Sequence, residues 1–304
     1  MTAPTSVPAA CREAVLDWYD ATGRALAFRA TRDPYAILVS ELMAQQTQAE
    51  RAADAWTAWM ERFPTVRALA DAPTADVLRA WAGLGYNRRA IALHRAAKAI
   101  VEQHGGLVPD SVDALEALPG VGPYTARAVA AIAFGRPVGA VDVNVRRVLG
   151  RVTAGGSEAF TPSAMRALAD AVVPPGRAGD WTHALMDVGA RLCRPANPRC
   201  PDCPTVPWCR YAAGERPIPA TAPRPVRTPR SAGRPVPFPA TNRWLRGRIL
   251  DRAREVDGDD WVAYPDAIGS HSAAAVREAV RTMAREGLLE ARDTPAGPEA
   301  RLPA

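Results

Sequence analysis

Lysine is almost absent from this 304-residue chain, because Lys98 is the single lysine among 38 lysine and arginine residues. Chemistry that requires a side-chain amine, such as Schiff-base formation, therefore depends on this one residue. Lys98 lies in the segment IALHRAAKAI, whose pattern indicates a solvated helix face. Covalent catalysis through a lysine is accordingly not expected.

Long apolar runs are also missing. No segment reaches the length that a membrane-spanning helix needs, and the N-terminal residues MTAPTSVPAACREAV show neither the charged start nor the apolar stretch of a signal peptide. These features predict a protein that does not enter the membrane and stays in the cytoplasm.

Alternating Val-, Ile- and Tyr-rich segments are nearly absent as well, whereas helical periodicity runs from about residue 9 to residue 190. The predicted fold class is therefore all-α.

The composition changes twice along the chain, which is 48% hydrophobic and long enough to bury a core. Residues 1–216 form a predicted helical core, with helix starts at Asp110 and at Thr161–Pro162. Residues 217–240 contain eight prolines and several arginines, which predicts an extended linker. Helical patterns return at 241–255 and 271–286 and are followed by the strand-like segment LLEAR. Residues 241–304 are predicted to form a small winged-helix-like module with a terminal hairpin.

The net charge of +6 and the isoelectric point near 9.4 favour a polyanionic partner. Arginine, which supplies nearly all of the positive charge, suits phosphate contacts because its guanidinium is planar and donates in pairs. Arginines also solvate helix faces, so the composition by itself does not separate nucleic-acid binding from simple solubility.

Four of the five cysteines lie within one short segment. Cys193, Cys200, Cys203 and Cys209 follow the spacing C-x6-C-x2-C-x5-C, and five prolines stiffen the intervening loop. In a reducing compartment this arrangement favours a metal site over disulfides. One loop that carries all four thiolates suits an iron–sulfur cluster better than zinc, which usually takes two separate pairs, and zinc remains the alternative. Cys11 is left over and is expected to be an ordinary half-buried thiol.

Two further segments contain candidate functional groups. Residues 118–126 read LPGVGPYTA, and the glycines at 120 and 122 allow a tight turn whose backbone amides can face an anion at the next helix start. A simple helix–helix turn explains the two glycines equally well. Asp142, in the segment VDVNVRR, is either a helix N-cap or a functional carboxylate held away from bulk water.

Together these segments resemble the endonuclease III-like helix–hairpin–helix DNA glycosylases that carry a [4Fe–4S] cluster. Four more segments resemble the MutY-type adenine glycosylases within that superfamily, in family order over residues 10–210. They are FRATRDPY at 28–35, ILVSELMAQQTQAER at 37–51, GLGY at 83–86 and LMDVGARLC at 185–193. Phe28 and Ala44 depart from the family's tryptophan and leucine, and Asn87 stands where a second tyrosine is common. The implied fold is a core of two helical subdomains with an iron–sulfur loop.

The resemblance implies specific roles at the reaction centre. Glu41 corresponds to the catalytic acid that protonates the leaving base, its pKa raised by burial beside Ile37–Val39. Asp142 corresponds to the signature aspartate, which would stabilise the cationic sugar directly or through a transient covalent bond. Tyr124 and Asn144 would orient Asp142 or the attacking water.

The resemblance also implies the groups that bind DNA. Gln45 and Gln46 would probe the opened duplex, Tyr86 would insert into the base stack, and Asp187 would contact adenine. The remaining positions are Arg29 as a DNA-binding residue, Gly120 and Gly122 as the hairpin that grips a DNA strand, and Cys193, Cys200, Cys203 and Cys209 as ligands of a structural [4Fe–4S] cluster. The implied partner is double-stranded DNA that contains mismatched adenine, bound by a monomer.

The function implied is that of a monofunctional adenine DNA glycosylase in base excision repair. The lyase-competent relatives carry a lysine at position 124, where this chain has tyrosine. A thymine or uracil mismatch glycosylase of the same superfamily and a non-enzymatic Fe–S DNA-binding protein are the alternatives. Residues 241–304 are too short for the Nudix-like domain that inspects 8-oxoguanine in many relatives. This module is therefore expected either to add phosphate contacts through Arg243, Arg246 and Arg248 or to read the lesion.

Overall fold

The computed structural model describes residues 6–215, 236–256 and 260–304. The chain divides into two compact units, each assembled from separate stretches of sequence. The first unit comprises Met1–Glu41, Val108–Ala117 and Val121–Val226, and the second comprises Leu42–Leu107, Leu118–Gly120 and Arg227–Ala304. Helices dominate both units, as the sequence predicts. In the described part of the chain, no helix combines the length and apolar character needed to cross a membrane.

The first unit is built from helices whose starts follow local capping rules. Its helices are α1 (Ala9–Thr22), most of α2 (Pro34–Ala44), α7 (Val112–Glu116), α8 (Pro123–Phe134), α9 (Val143–Ala154), α10 (Pro162–Ala171) and α11 (Ala178–Asp187). The Thr161 side chain accepts a hydrogen bond from Ala164 N and Pro162 begins α10, which confirms that predicted helix start. The cap of α7 is Ser111 rather than Asp110, because Asp110 pairs with Arg136 instead.

The core of the first unit lies between α1, α9, α10 and α11. Large apolar side chains from each helix are fully buried in it, among them Val15, Leu149, Met165 and Trp181. Cys11 belongs to the same cluster with 1% of its surface exposed, so it is a core residue and not the half-buried thiol that the sequence suggested. This burial raises the pKa of the Cys11 thiol to about 12.

The second unit begins with four helices around an aromatic cluster. They are α3 (Ala49–Arg62), α4 (Val66–Ala70), α5 (Thr74–Ala80) and α6 (Arg88–His104). The Trp59 ring meets Phe63 and Trp81 edge-on, with centroid distances of 4.9 and 5.5 Å. All three rings are buried, so these aromatic residues serve packing and not chemistry.

The C-terminal part of the second unit is a small helix–sheet module. It contains α12 (Asn242–Arg254), α13 (Ala273–Arg285) and the strands β1 (Val262–Ala263), β2 (Glu290–Thr294) and β3 (Gly297–Arg301). The strands form an antiparallel sheet in the order β1-β3-β2, and β2 and β3 make the terminal hairpin that the sequence predicts. Residues 217–235 of the predicted linker lie outside the described residues, and its end forms a 3₁₀ turn at Phe238–Ala240.

Candidate active site

Asp142 is held at the first turn of α9 by two hydrogen bonds. Its Oδ1 accepts a bond of 2.7 Å from the Val145 amide, which makes Asp142 the N-cap of the helix. Its Oδ2 accepts a bond of 2.8 Å from Asn144 Nδ2. The cap role and a functional role, which the sequence left as alternatives, are compatible here. The cap bond fixes the carboxylate while one face of Asp142 lines a cavity.

That cavity, of about 340 Å³, contains both Asp142 and Tyr124. Three arginines, Arg127, Arg146 and Arg166, line it as well. The arginines suit a polyanionic ligand. The carboxylate can stabilise a positive charge that develops at one atom of that ligand during a reaction.

Glu41 lies on α2 two residues after Val39, and Ile37, Leu38 and Val39 are all buried. Burial raises the pKa of Glu41 to about 7 against the opposing effect of the Tyr124 hydroxyl. The Asp142 carboxylate raises this pKa as well, and Arg29 lowers it. A carboxyl group with such a pKa can hold a proton near neutral pH and release it to a substrate.

Tyr124 follows Pro123 at the start of α8, and its hydroxyl is 3.7 Å from the sulfur of Met186. Burial and the nearby charges of Glu41 and Asp142 raise the pKa of Tyr124 well above its ordinary value. The phenol is therefore neutral at physiological pH and can donate a hydrogen bond. Glu41, Tyr124, Asp142 and Asn144 thus form one group within the first unit.

Asp187 is fully buried at the end of α11 and is bound by two arginines. Arg29 donates from both terminal nitrogens to its two oxygens at 2.8 and 2.9 Å. Arg24 adds its side chain at 2.8 Å and its backbone amide at 3.0 Å. Burial raises the pKa of Asp187, but the arginines outweigh this and lower it to about 2. Arg29, predicted to bind DNA, and Asp187, predicted to contact adenine, are therefore bound to each other in this structure.

Arg147 connects the active-site group to the cysteine loop, a role that no sequence motif indicates. Its Nη2 donates to Asn144 Oδ1 at 2.7 Å and to the Gly189 carbonyl at 2.8 Å, while Nε donates to the Cys193 carbonyl at 2.6 Å. Gly189 lies in a π-helical turn, Val188–Leu192, that continues α11. A Cβ atom on Gly189 would lie 2.5 Å from the Asn144 Cβ atom, so this approach requires glycine.

The four cysteines of the loop line a single small cavity in the first unit, together with Arg151 and Tyr211. Arg151 donates to the Cys193 sulfur at 3.4 Å and stacks on the Tyr211 ring at 4.3 Å. In the described part of the chain, no three His, Cys, Asp or Glu side chains form a group that could hold a metal ion as they are placed. The cavity nevertheless gathers four thiols that are not paired in disulfides, which is the donor set that an iron–sulfur cluster takes.

The two hairpin glycines have different surroundings. Gly120 has a φ of +78°, and a Cβ atom there would lie 2.5 Å from the Ala92 Cβ atom. Gly122 is the N-cap of α8 and has open space where a side chain would be. Its backbone, followed by Pro123, therefore leaves the start of α8 accessible to a ligand.

Gln45, Gln46 and Tyr86 belong to the second unit, where they line a groove of about 840 Å³. Gln46 and Tyr86 have φ values of +54° and +46°, which are unusual for residues other than glycine. Tyr86 keeps 43% of its surface exposed. The candidate residues thus form two groups, a reaction group in the first unit and a binding group in the second.

Comparison with known proteins places the chain among the base excision DNA repair glycosylases. The family model described as HhH-GPD superfamily base excision DNA repair protein matches residues 39–175. An adenine DNA glycosylase of Mycobacterium tuberculosis is 44% identical over 247 residues, which cover 80% of this chain and 78% of the relative. The adenine DNA glycosylase of Mycolicibacterium smegmatis is 38% identical and covers 91% of both chains. The human adenine DNA glycosylase is 42% identical, over 66% of this chain and 39% of the human protein.

Several solved structures share the fold, and two of them illustrate the likeness. A thermostable thymine-DNA glycosylase aligns with a TM-score of 0.62 and 30% identity, covering 67% of this chain and 95% of that protein. A non-covalent endonuclease III–DNA complex aligns with a TM-score of 0.58 over 67% of this chain and 94% of the other. The second protein is 22% identical, so its likeness concerns the fold.

Replacing Asp187 with asparagine should test the buried ion pair. Arg24 and Arg29 would lose their common anion, so we expect the free energy of unfolding at pH 7 to fall by roughly 3 kcal/mol. Because folding lowers the pKa of Asp187 from 3.8 to about 2, the stabilisation is present above pH 3.8 and is lost as the pH falls towards 2. Urea unfolding of both proteins between pH 7 and pH 2 measures this difference.

The matched control is Asp110→Asn, which breaks the exposed pair with Arg136. A solvent-exposed pair contributes about 0–1 kcal/mol. An equal loss of stability in the two variants would contradict the role assigned to Asp187.

Proposed function

Because the chain belongs to the HhH-GPD superfamily of base excision DNA repair proteins, and within it to the adenine DNA glycosylases, we propose that it hydrolyses the N-glycosidic bond of adenine mispaired with guanine or 8-oxoguanine. The observation that carries this proposal is the pairing of Glu41, whose pKa is about 7, with Asp142, whose oxygens are held by Val145 and Asn144. One carboxyl group that carries a proton and one carboxylate beside it are the two groups that glycoside hydrolysis requires.

The proposed reaction begins with adenine turned out of the base stack. Glu41 donates its proton to a ring nitrogen of adenine as the bond between C1′ and N9 breaks and its electron pair moves to the base. Asp142 stabilises the positive charge that develops on the sugar. Water then adds at C1′ and loses a proton, which restores the protonated state of Glu41. The products are free adenine and an intact strand with an abasic site.

Tyr124 and Asn144 serve this reaction as positioning residues. Asn144 donates to Asp142 and is itself held by Arg147, so its amide has one orientation. The neutral phenol of Tyr124 lies in the same cavity as Asp142 and can hold the attacking water. Neither side chain supplies an amine, which supports simple hydrolysis without strand cleavage.

The four cysteines at 193, 200, 203 and 209 are the proposed ligands of a [4Fe–4S] cluster. Such a cluster would hold the loop in shape, and it supplies no acid or base to the hydrolysis. Arg147 and Arg151 both contact Cys193, so the shape of the loop bears on the start of α9 and on Asp142.

Double-stranded DNA is the proposed partner. We also propose, as the sequence predicts, that the protein acts as a monomer in the cytoplasm. The arginines around Asp142, the open start of α8 and the groove beside Tyr86 supply the contacts with the DNA backbone and bases. One of the similar structures is named as an endonuclease III–DNA complex, which supports DNA as the ligand.

Single-turnover cleavage of duplexes that carry A:8-oxoG, A:G, T:G and U:G tests this function. We expect release of adenine from the first two duplexes only.

Glu41→Gln keeps the shape of the side chain and removes its proton, so the rate should fall at least about a hundredfold while duplex binding persists. The exposed acid Glu61, changed to glutamine, is the matched control and should leave the rate unchanged. Release of thymine or uracil would instead favour the mismatch glycosylase, and unchanged cleavage by Glu41→Gln would exclude Glu41 as the acid.

The pH dependence of the same reaction provides a second readout of Glu41. The acid must be protonated to act, so the wild-type rate should decrease as the pH rises through about 7. Glu41→Gln should lose this decrease together with most of the rate.

Iron analysis tests the proposed cluster. Protein purified without oxygen should contain about four irons per chain and absorb visible light through iron–thiolate charge transfer. Cys203→Ser should lose iron and DNA affinity, whereas Cys11→Ala should keep the iron because Cys11 packs in the core. Stoichiometric zinc in a colourless protein would contradict the proposal.

Borohydride trapping tests the absence of lyase chemistry. With Tyr124 at the position of the lyase lysine, the wild type should form no stable covalent complex with DNA, and its product strand should break only after added alkali. Tyr124→Lys should introduce trapping if the amine reaches C1′. Efficient trapping of the wild type through Lys98 would overturn this expectation.

A further inference from the structure

Arg243, at the start of α12, is bound to the exposed ring of Tyr86. Its guanidinium carbon lies 4.4 Å from the centre of the Tyr86 ring, and its Nη1 donates to the Tyr86 hydroxyl at 3.1 Å. Phe238 approaches the same guanidinium, with 5.9 Å between the guanidinium carbon and the ring centre. A residue of the C-terminal module is therefore in direct contact with the side chain expected to enter the base stack.

The loop that carries Tyr86 is held in a strained conformation by arginines. Tyr86 has a positive φ and follows Gly85, whose carbonyl accepts a bond of 3.1 Å from Arg89. On its other side, Asn87 accepts a bond of 2.9 Å from Arg254 of α12. Strain that surrounding contacts maintain at an exposed aromatic residue indicates a functional position. The ring is held in place before any ligand binds.

Arg243, like Arg252, has no acidic partner among the described residues, whereas the other three arginines of α12 have one. Arg246 pairs with Glu286, and Arg248 and Arg254 pair with Asp251. Among the described residues, no carboxylate lies within ion-pair distance of Arg243, and its guanidinium contacts the rings of Tyr86 and Phe238. Most of its five N–H donors are therefore available to a ligand.

The groove around Arg243 suits a nucleic acid. Seven arginines line it, and Asp251 is the one acidic residue among its lining residues. It also contains Gln46, whose positive φ makes it a second strained residue on the same surface. Positive charge combined with aromatic and amide side chains is typical of surfaces that contact both phosphates and bases.

We propose that Arg243 is a specificity-determining residue that reads the guanine-type base opposite the excised adenine, with Tyr86 stacked beside it. A guanidinium donates two parallel hydrogen bonds to O6 and N7 of guanine. In 8-oxoguanine N7 carries a hydrogen, so the guanidinium donates there to O6 alone. Cytosine presents an amino donor on its major-groove edge, which a guanidinium cannot pair with. The inference rests on the proposed function, and it assigns recognition of the opposite base to the C-terminal module.

Equilibrium binding of the full-length chain to three duplexes tests this role without requiring cleavage. Each duplex carries a stable tetrahydrofuran abasic analogue opposite guanine, 8-oxoguanine or cytosine. The wild type should prefer both guanine-type bases to cytosine. Arg243→Met should reduce the preference for guanine over cytosine about tenfold, and Arg243→Lys should reduce it as well, because only arginine has a planar fork that donates to O6 and N7 together. Arg252→Met, an exposed arginine of the same helix outside the groove, should leave the preference unchanged.

Three outcomes would overturn the inference. In the first, the methionine variant loses the same factor of affinity for all three duplexes. The slope of log affinity against log salt concentration then also falls by about one, which identifies a phosphate contact. In the second, the lysine variant keeps the full preference, so that charge alone suffices. In the third, the wild type shows no preference. A wild type that prefers guanine yet releases no adenine would overturn the proposed function and leave the role of Arg243 standing.

Discussion

The hydrogen bond that the Val145 amide donates to Asp142 fixes the start of α9, and the reaction group is built outward from that start. With Oδ1 turned back onto the helix, Oδ2 faces Asn144, whose amide donates to it. Arg147 lies three residues beyond Asn144, on the same face of the helix, and closes the series by donating to the Asn144 oxygen. One helix start thereby sets a carboxylate, an amide and a cation in a fixed order. The same arginine also donates to the carbonyl of Gly189, in the turn that packs against Asn144.

Two buried carboxyl groups of the first unit show how surroundings divide chemical roles. Asp187 faces two arginines, and its pKa falls to about 2, so it is an anion at every physiological pH. Glu41 has apolar neighbours and a nearby carboxylate, and its pKa rises to about 7. The chemical group is the same in both residues, and only its partners differ. Asp187 can therefore hold the N-terminal segment through Arg24 and Arg29, whereas Glu41 is able to exchange a proton.

Local patterns in the sequence were sufficient to predict the helical core, the cap at Thr161 and the terminal hairpin. They failed by one residue at α7, where Asp110 and Ser111 are both good caps and the choice depends on a distant partner, Arg136. Motif resemblance led to Asp142 and Asn144 but not to Arg147. An arginine one turn along a helix is equally typical of a solvated face. Its deciding partners are backbone carbonyls 42 and 46 residues further along the chain, which no local pattern reveals.

The departure at Asn87 is explained by a contact outside the family motif. Its side-chain oxygen accepts from Arg254, which also donates to the Leu78 carbonyl, so one arginine of α12 links two segments of the second unit. Burial lowers the pKa of Arg254, and the Asp251 charge offsets part of this effect. The sequence of the Tyr86 loop and that of α12 therefore depend on each other. The module therefore contributes contacts that hold this loop in place.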